Sequence, residues 1–167
     1  MPRPFDVTTD SPASVDQIHL AFGSEAYWQA RIAEFGGGAT TLDYLTVDTA
    51  GSVDVATTQD LRNDLLPGPL AKAFRGDLKV VRAEVWRRDE HTVRGEVTIS
   101  ASGVPGSGVG TAVLEPVSEG SRLTLSGTLE IRIPLVGGRI EKAIADQIVA
   151  ELPQLTRFTS DWISQNG

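Results

Sequence analysis

Residues 121–149, SRLTLSGTLEIRIPLVGGRIEKAIADQIV, contain the change of rhythm from which the fold is read. Through Ile133 the apolar residues fall on every second position. Leu123, Leu125, Leu129, Ile131 and Ile133 share a side with Gly127, and Thr124, Ser126, Thr128, Glu130 and Arg132 take the other. Alternation of this kind predicts a strand over 121–133, dry on one face and wet on the other, as in an antiparallel sheet covered on a single side. From about Gly138 the period lengthens. Ile140, Ile144, Ile148, Leu152, Leu155, Phe158 and Trp162 make one apolar stripe, and Glu141, Lys142, Asp146, Glu151, Gln154, Arg157 and Asp161 occupy the remaining surface. The pattern predicts a long amphipathic helix over 138–163, with a kink at Pro153, which lacks a backbone donor.

Upstream, period two persists for nearly a hundred residues. It predicts strands over 40–48 and 52–61, joined at Ala50-Gly51, and over 78–87, 92–100 and 107–115. In the second of these Val53, Val55, Thr57 and Gln59 share the inner face, with Asp54, Thr58 and Asp60 opposite. In the third, Arg82 and Glu84 mark the wet face and carry Trp86 with them, which turns Val81, Ala83 and Val85 inward. Residues 62–77 hold Pro67, Gly68, Pro69 and Gly76 among Leu65, Leu66, Leu70 and Phe74. They read as a long connection with a helical turn at 70–74, either a lid or a cap on the open end of the core. Before the sheet comes a first strand over 3–9. A short helix follows, opened by the capping box Ser14 and Gln17, and after Gly23-Ser24 a second helix carries Tyr27, Trp28, Ile32 and Phe35.

This order implies an α+β helix-grip arrangement: a curled antiparallel sheet of about seven strands around a long C-terminal helix, with two short helices after the first strand. A helix is about 10 Å across and strands lie about 4.8 Å apart, so one helix shields two or three strands. The sheet must curl, and a curled sheet gripping one helix tends to leave space between them.

The element order and IPLVGGRIE (133–141) leading into the last helix resemble the START-like superfamily, which includes the birch-pollen allergen, lipid-transfer domains and polyketide aromatases and cyclases. Within it the chain looks like an actinobacterial family of unknown function. The finer match lies in RPFDVTTDSPASVDQI (3–18), Leu66-Pro67, Val85-Trp86, Gly103-Val104-Pro105, IPLVGGRIE, Phe158 and Trp162. The resemblance spans essentially the whole chain and implies a shared pocket rather than a shared catalytic motif.

With 167 residues the chain is read as one domain over 1–167. A formal charge of −7 disfavours a nucleic-acid partner or an anionic membrane surface. Cys is absent, which excludes disulfides, thiolate-held metals and cysteine nucleophiles, and two His preclude a three-His metal site. No cofactor and no metal is expected. No apolar run approaches the roughly 20 residues of a membrane span. MPRPFDVTTD lacks the apolar core of a signal peptide, so a cytoplasmic location is expected. Gly36-Gly37-Gly38 follows a helix instead of opening one, and GVPGSGVG (103–110) lacks phosphate-loop spacing. Both read as turn chemistry, the second able to border a pocket mouth. His19 reads as structural and His91 as an exposed turn residue.

The leading expectation is binding or transport of a hydrophobic small molecule, lipid-like or polyketide-like, between the sheet and the last helix. Val53, Val55, Thr57, Val81, Val97, Leu125, Leu129, Ile140, Ile144 and Ile148 would line the pocket, Leu66 and Phe74 would close it, and Gln59 or Thr57 would orient the ligand. Two other readings stay open. One is an aromatase-, cyclase- or hydrolase-type enzyme on the same fold, which an ionisable residue facing the cavity with a perturbed titration would favour; the residues offer no clear candidate. The other is a protein-interaction module using an exposed patch near Trp86 or an edge strand.

Overall fold

The computed structural model describes residues 2–36, 39–61 and 78–166. Strand β1 (Arg3–Ser11) leads into α1 (Val15–Phe22) and α2 (Glu25–Phe35). Six strands follow, β2 (Thr40–Val47), β3 (Val53–Leu61), β4 (Leu78–Asp89), β5 (Thr92–Ala101), β6 (Gly106–Val117) and β7 (Gly120–Ile131), before the terminal helix α3 (Gly137–Asn166). All pair antiparallel in one seven-stranded sheet of order β1-β7-β6-β5-β4-β3-β2. The first strand thus returns to the last, and the central strands form a meander.

Local chemistry starts each helix where the residues indicate. The Ser14 hydroxyl accepts from the Gln17 amide, and the Gln17 side chain in return accepts from the Ser14 N–H. Ser24 caps α2 in turn, accepting from the Tyr27 amide. Helix α3 continues through Pro153, so the missing donor does not end it. Glu141 departs from the expected surface position. It is buried, and its carboxylate accepts from the Ile131 N–H at 2.8 Å, tying the end of β7 to the first turns of α3. No helix among the described residues is long and apolar enough to cross a membrane.

Helix α3 packs along β1 and β7 and touches α1. That placement follows from its stripe: Leu152 and Ile148 meet Leu125, Leu123, Phe5 and Val7 in the main apolar cluster. Near the helix start, Ile140 and Ile144 form a second cluster with Leu78, Val104 and Ile131. The other end of the grip is closed by aromatics. Tyr27 stands edge-on to Trp28 and Trp162, and Phe22 meets Trp86 at a centroid distance of 4.8 Å.

The inner face of β4 is the reverse of the one expected. Leu78, Glu84 and Trp86 are buried, while Val81 is 38% exposed and turned outward. Val85 shares the outer face, opposite Asp54 and Glu96, both exposed. Three expectations are corrected together: Val81 faces outward, Trp86 offers no surface patch, and Glu84 is not on a wet face. The alternation holds, but its phase comes out inverted when every charge is counted as solvent-facing. Charges that find partners inside do not obey that count.

Candidate ligand-binding site

Among the described residues, four compartments occupy the space between the curled sheet and the helices. One, about 220 Å³, is walled by Leu78, Val104, Leu129, Ile131, Ile140, Ile144 and Ile148, with Gly106 and Gly108 of the glycine-rich stretch at its border. A second, about 180 Å³, is lined by Trp28, Arg31, Thr57, Gln59, Arg82 and Glu84. Gln59, Val80, Ile99 and Glu151 border both, so the apolar and polar spaces adjoin. Two smaller hollows of about 40 Å³ each meet at Arg82, Val97, Leu125, Leu152 and Leu155.

The expected residues divide four ways, Val81 standing apart on the outer face of β4. Thr57, Gln59, Val97, Leu125, Leu129, Ile140, Ile144 and Ile148 border these compartments. Val53 and Val55 share the inner face of β3 but sit in the packed cluster with Phe22, Tyr27 and Trp86, away from the compartments' walls. Leu66 and Phe74 lie outside the described residues, as do the turn at 70–74 and Gly37-Gly38. Gln59 donates to the Gly36 carbonyl at 3.2 Å, which satisfies an amide that burial would otherwise penalise. The two histidines keep apart from the site. His19 is buried with Nε2 2.7 Å from the Gly51 oxygen, and His91 is exposed in the β4–β5 turn.

Reading the residues alone missed the polar centre. Glu84 is 3% exposed, with one carboxylate oxygen accepting from Trp86 Nε1 at 3.0 Å and the other 2.9 Å from Arg82 Nε. The Arg82 Nε–H is not aimed at that oxygen, so the contact is an ion pair more than a hydrogen bond. Burial alone would push the Glu84 carboxyl upward. The guanidinium groups of Arg82 and Arg31, with the Trp86 hydrogen bond, outweigh it and hold the carboxyl below its ordinary value. Arg31 projects from α2, its guanidinium 4.6 Å from the centre of the Trp28 ring. A signal for this centre exists in the sequence: Leu78 and Trp86, the largest apolar residues of β4, have the same parity as Arg82 and Glu84.

A long helix held in an antiparallel, curled sheet, with hollows between them, is the architecture of the helix-grip proteins, of which the birch-pollen allergen is the type. Solved structures that share it include the following two. Ara h 8.0201 superposes with a TM-score of 0.60 at 12% identity, over 99% of this chain and 100% of its own. TTHA0849 from Thermus thermophilus does so with a TM-score of 0.57 at 16% identity, over 98% and 99%. At that identity the likeness concerns fold. The chain itself belongs to the family described as "Protein of unknown function (DUF2505)", which matches residues 6–163. Relatives at 39% identity include the uncharacterized proteins Rv0481c of Mycobacterium tuberculosis H37Rv and Mb0491c of Mycobacterium bovis, each aligned over 99% of both chains.

Proposed function

We propose that this chain binds or carries a hydrophobic small molecule, lipid-like or polyketide-like, in the space between sheet and α3, as a START-like domain in the cytoplasm. The observation that carries the reading is the aliphatic compartment of about 220 Å³ continuous in its walls with a polar one. Protein interiors are otherwise close-packed, so hollows of this size, left open by the described residues, favour a guest. Affinity would come from apolar area removed from water, about 25 cal/mol per Å². Thr57 and Gln59 would fix orientation.

The enzyme reading now has a cavity-facing ionisable group, Glu84, but its titration runs the wrong way. A general acid needs a raised pKa and a general base one near the working pH. Glu84 is held ionised by two arginines and is suited to holding them in place. An interaction module built on Trp86 loses its patch, because that indole is buried.

Titration with a fluorescent fatty acid and with a neutral hydrophobic dye tests the proposal, together with native mass spectrometry of protein from its own source. Micromolar binding, or a co-purifying small molecule, is the expected result. No binding of any probe and no adduct would sink it.

A further inference from the structure

The polar compartment offers more cationic hydrogen-bond capacity than the described residues use. A guanidinium carries five N–H donors in a planar fork that matches a carboxylate. Arg31 makes a single described hydrogen bond, a long one of 3.5 Å to the Tyr27 hydroxyl, and none of the described carboxylates is in ion-pair contact with it. Glu84 attracts Arg31 without touching it, its two oxygens lying against Arg82 and Trp86. Glu151, on the compartment wall, adds a weaker attraction, also from beyond contact distance. Tyr27 and these carboxylates outweigh burial and keep the half-buried guanidinium charged, yet its fork, stacked on Trp28, has no carboxylate in contact among the described residues.

We infer that the guest is an amphipath with a carboxylate head, which pairs with Arg31 in the polar compartment while its apolar chain lies among Leu129, Ile140, Ile144 and Ile148. The chain would pass where Gln59, Val80 and Ile99 border both spaces. This assignment rests on the binding reading above and adds the chemistry of the head. It makes Glu84 and Glu151 the competing charges: a ligand carboxylate must approach Arg31 against their repulsion.

The test is displacement of the neutral dye Nile red, at neutral pH, by three compounds of one chain length: decanoic acid, decanol and decylamine. Decanoate should displace the dye about tenfold or more better than decanol, the range of a charge-assisted hydrogen bond. Arg31→Met should bring decanoate down to the level of decanol measured in the same variant, and Glu151→Gln should enlarge the preference. Should Arg31→Met fold poorly, Arg31→Lys, which keeps the charge and loses the fork, should retain only part of the preference. Equal affinity for decanoate and decanol in the wild type, or tightest binding of decylamine, would overturn the carboxylate assignment and leave the pocket standing. Failure of all three compounds to bind would remove both.

Discussion

Gly95 lies directly opposite Trp86 across the β4–β5 pair, and the indole covers its α-carbon so closely that a Cβ there would fall 2.6 Å from the ring. The contact explains the glycine in the middle of a strand, where it otherwise weakens the ladder. It also explains how a tryptophan fits on the inner face of a curled sheet. Lying flat, the indole meets Phe22 and turns its Nε1 to Glu84. The polar centre of the cavity therefore depends on an absent side chain one strand away.

Replacing that glycine, Gly95→Val, should force the ring or the strand to shift and destabilise the protein by about 1–3 kcal/mol, the range for overpacked cores. Urea unfolding followed by tryptophan fluorescence measures it. Unchanged stability would mean that the indole has another place to go.

Glu84→Gln removes the charge that Arg82 faces. Breaking a buried pair by neutralising one partner should cost about 3 kcal/mol at neutral pH. The folded pKa of Glu84 lies below its unfolded one, so the unfolded chain binds more protons in the interval between them. The contribution is complete above the ordinary value of 4.5 and is lost as pH falls through the lowered folded value. The stability gap between wild type and variant should hold from neutral pH to about 5 and narrow in acid. Unfolding curves across that range show it; a gap that persists undiminished in strong acid would contradict the assignment.

Tyr27 is fully buried, and its hydroxyl lies 2.6 Å from Thr159 Oγ1, joining α2 to α3. The Thr159 hydroxyl donates to the Leu155 carbonyl at 2.8 Å, so the tyrosine is the donor of the pair. Tyr27→Phe leaves Thr159 with its helical partner and should cost about 1 kcal/mol. Calorimetry should record the matching fall in Tm.

Ile99 borders both the aliphatic and the polar compartment. Ile99→Trp should occupy the junction, keep the fold, and weaken a neutral apolar probe about tenfold or more by taking away space rather than contacts. Probe titration beside a far-ultraviolet spectrum distinguishes a blocked cavity from a damaged sheet. Full-strength binding would place the guest elsewhere.

The division between what was legible and what was not follows the reach of the interactions. The strand and helix rhythms around IPLVGGRIE, the Ser14–Gln17 cap and the Gly23-Ser24 break depend on residues a few positions apart, and the structure keeps them all. The phase of β4 was different. Leu78 and Val80 stand on one parity, Val81, Ala83 and Val85 on the other, so alternation supports either face.

Residue order by itself determined the elements, their antiparallel succession and the apolar stripe of α3, because backbone geometry repeats every two or 3.6 residues whatever lies beyond. Tertiary structure alone decided which side of β4 looks inward, that Val53 and Val55 meet packed aromatics instead of a hollow, and that Arg31 and Glu84 share a cavity. Those outcomes turn on whether a bulky ring or a charge finds room and a partner on a distant segment, as Trp86 does over Gly95, and no local period encodes such a meeting.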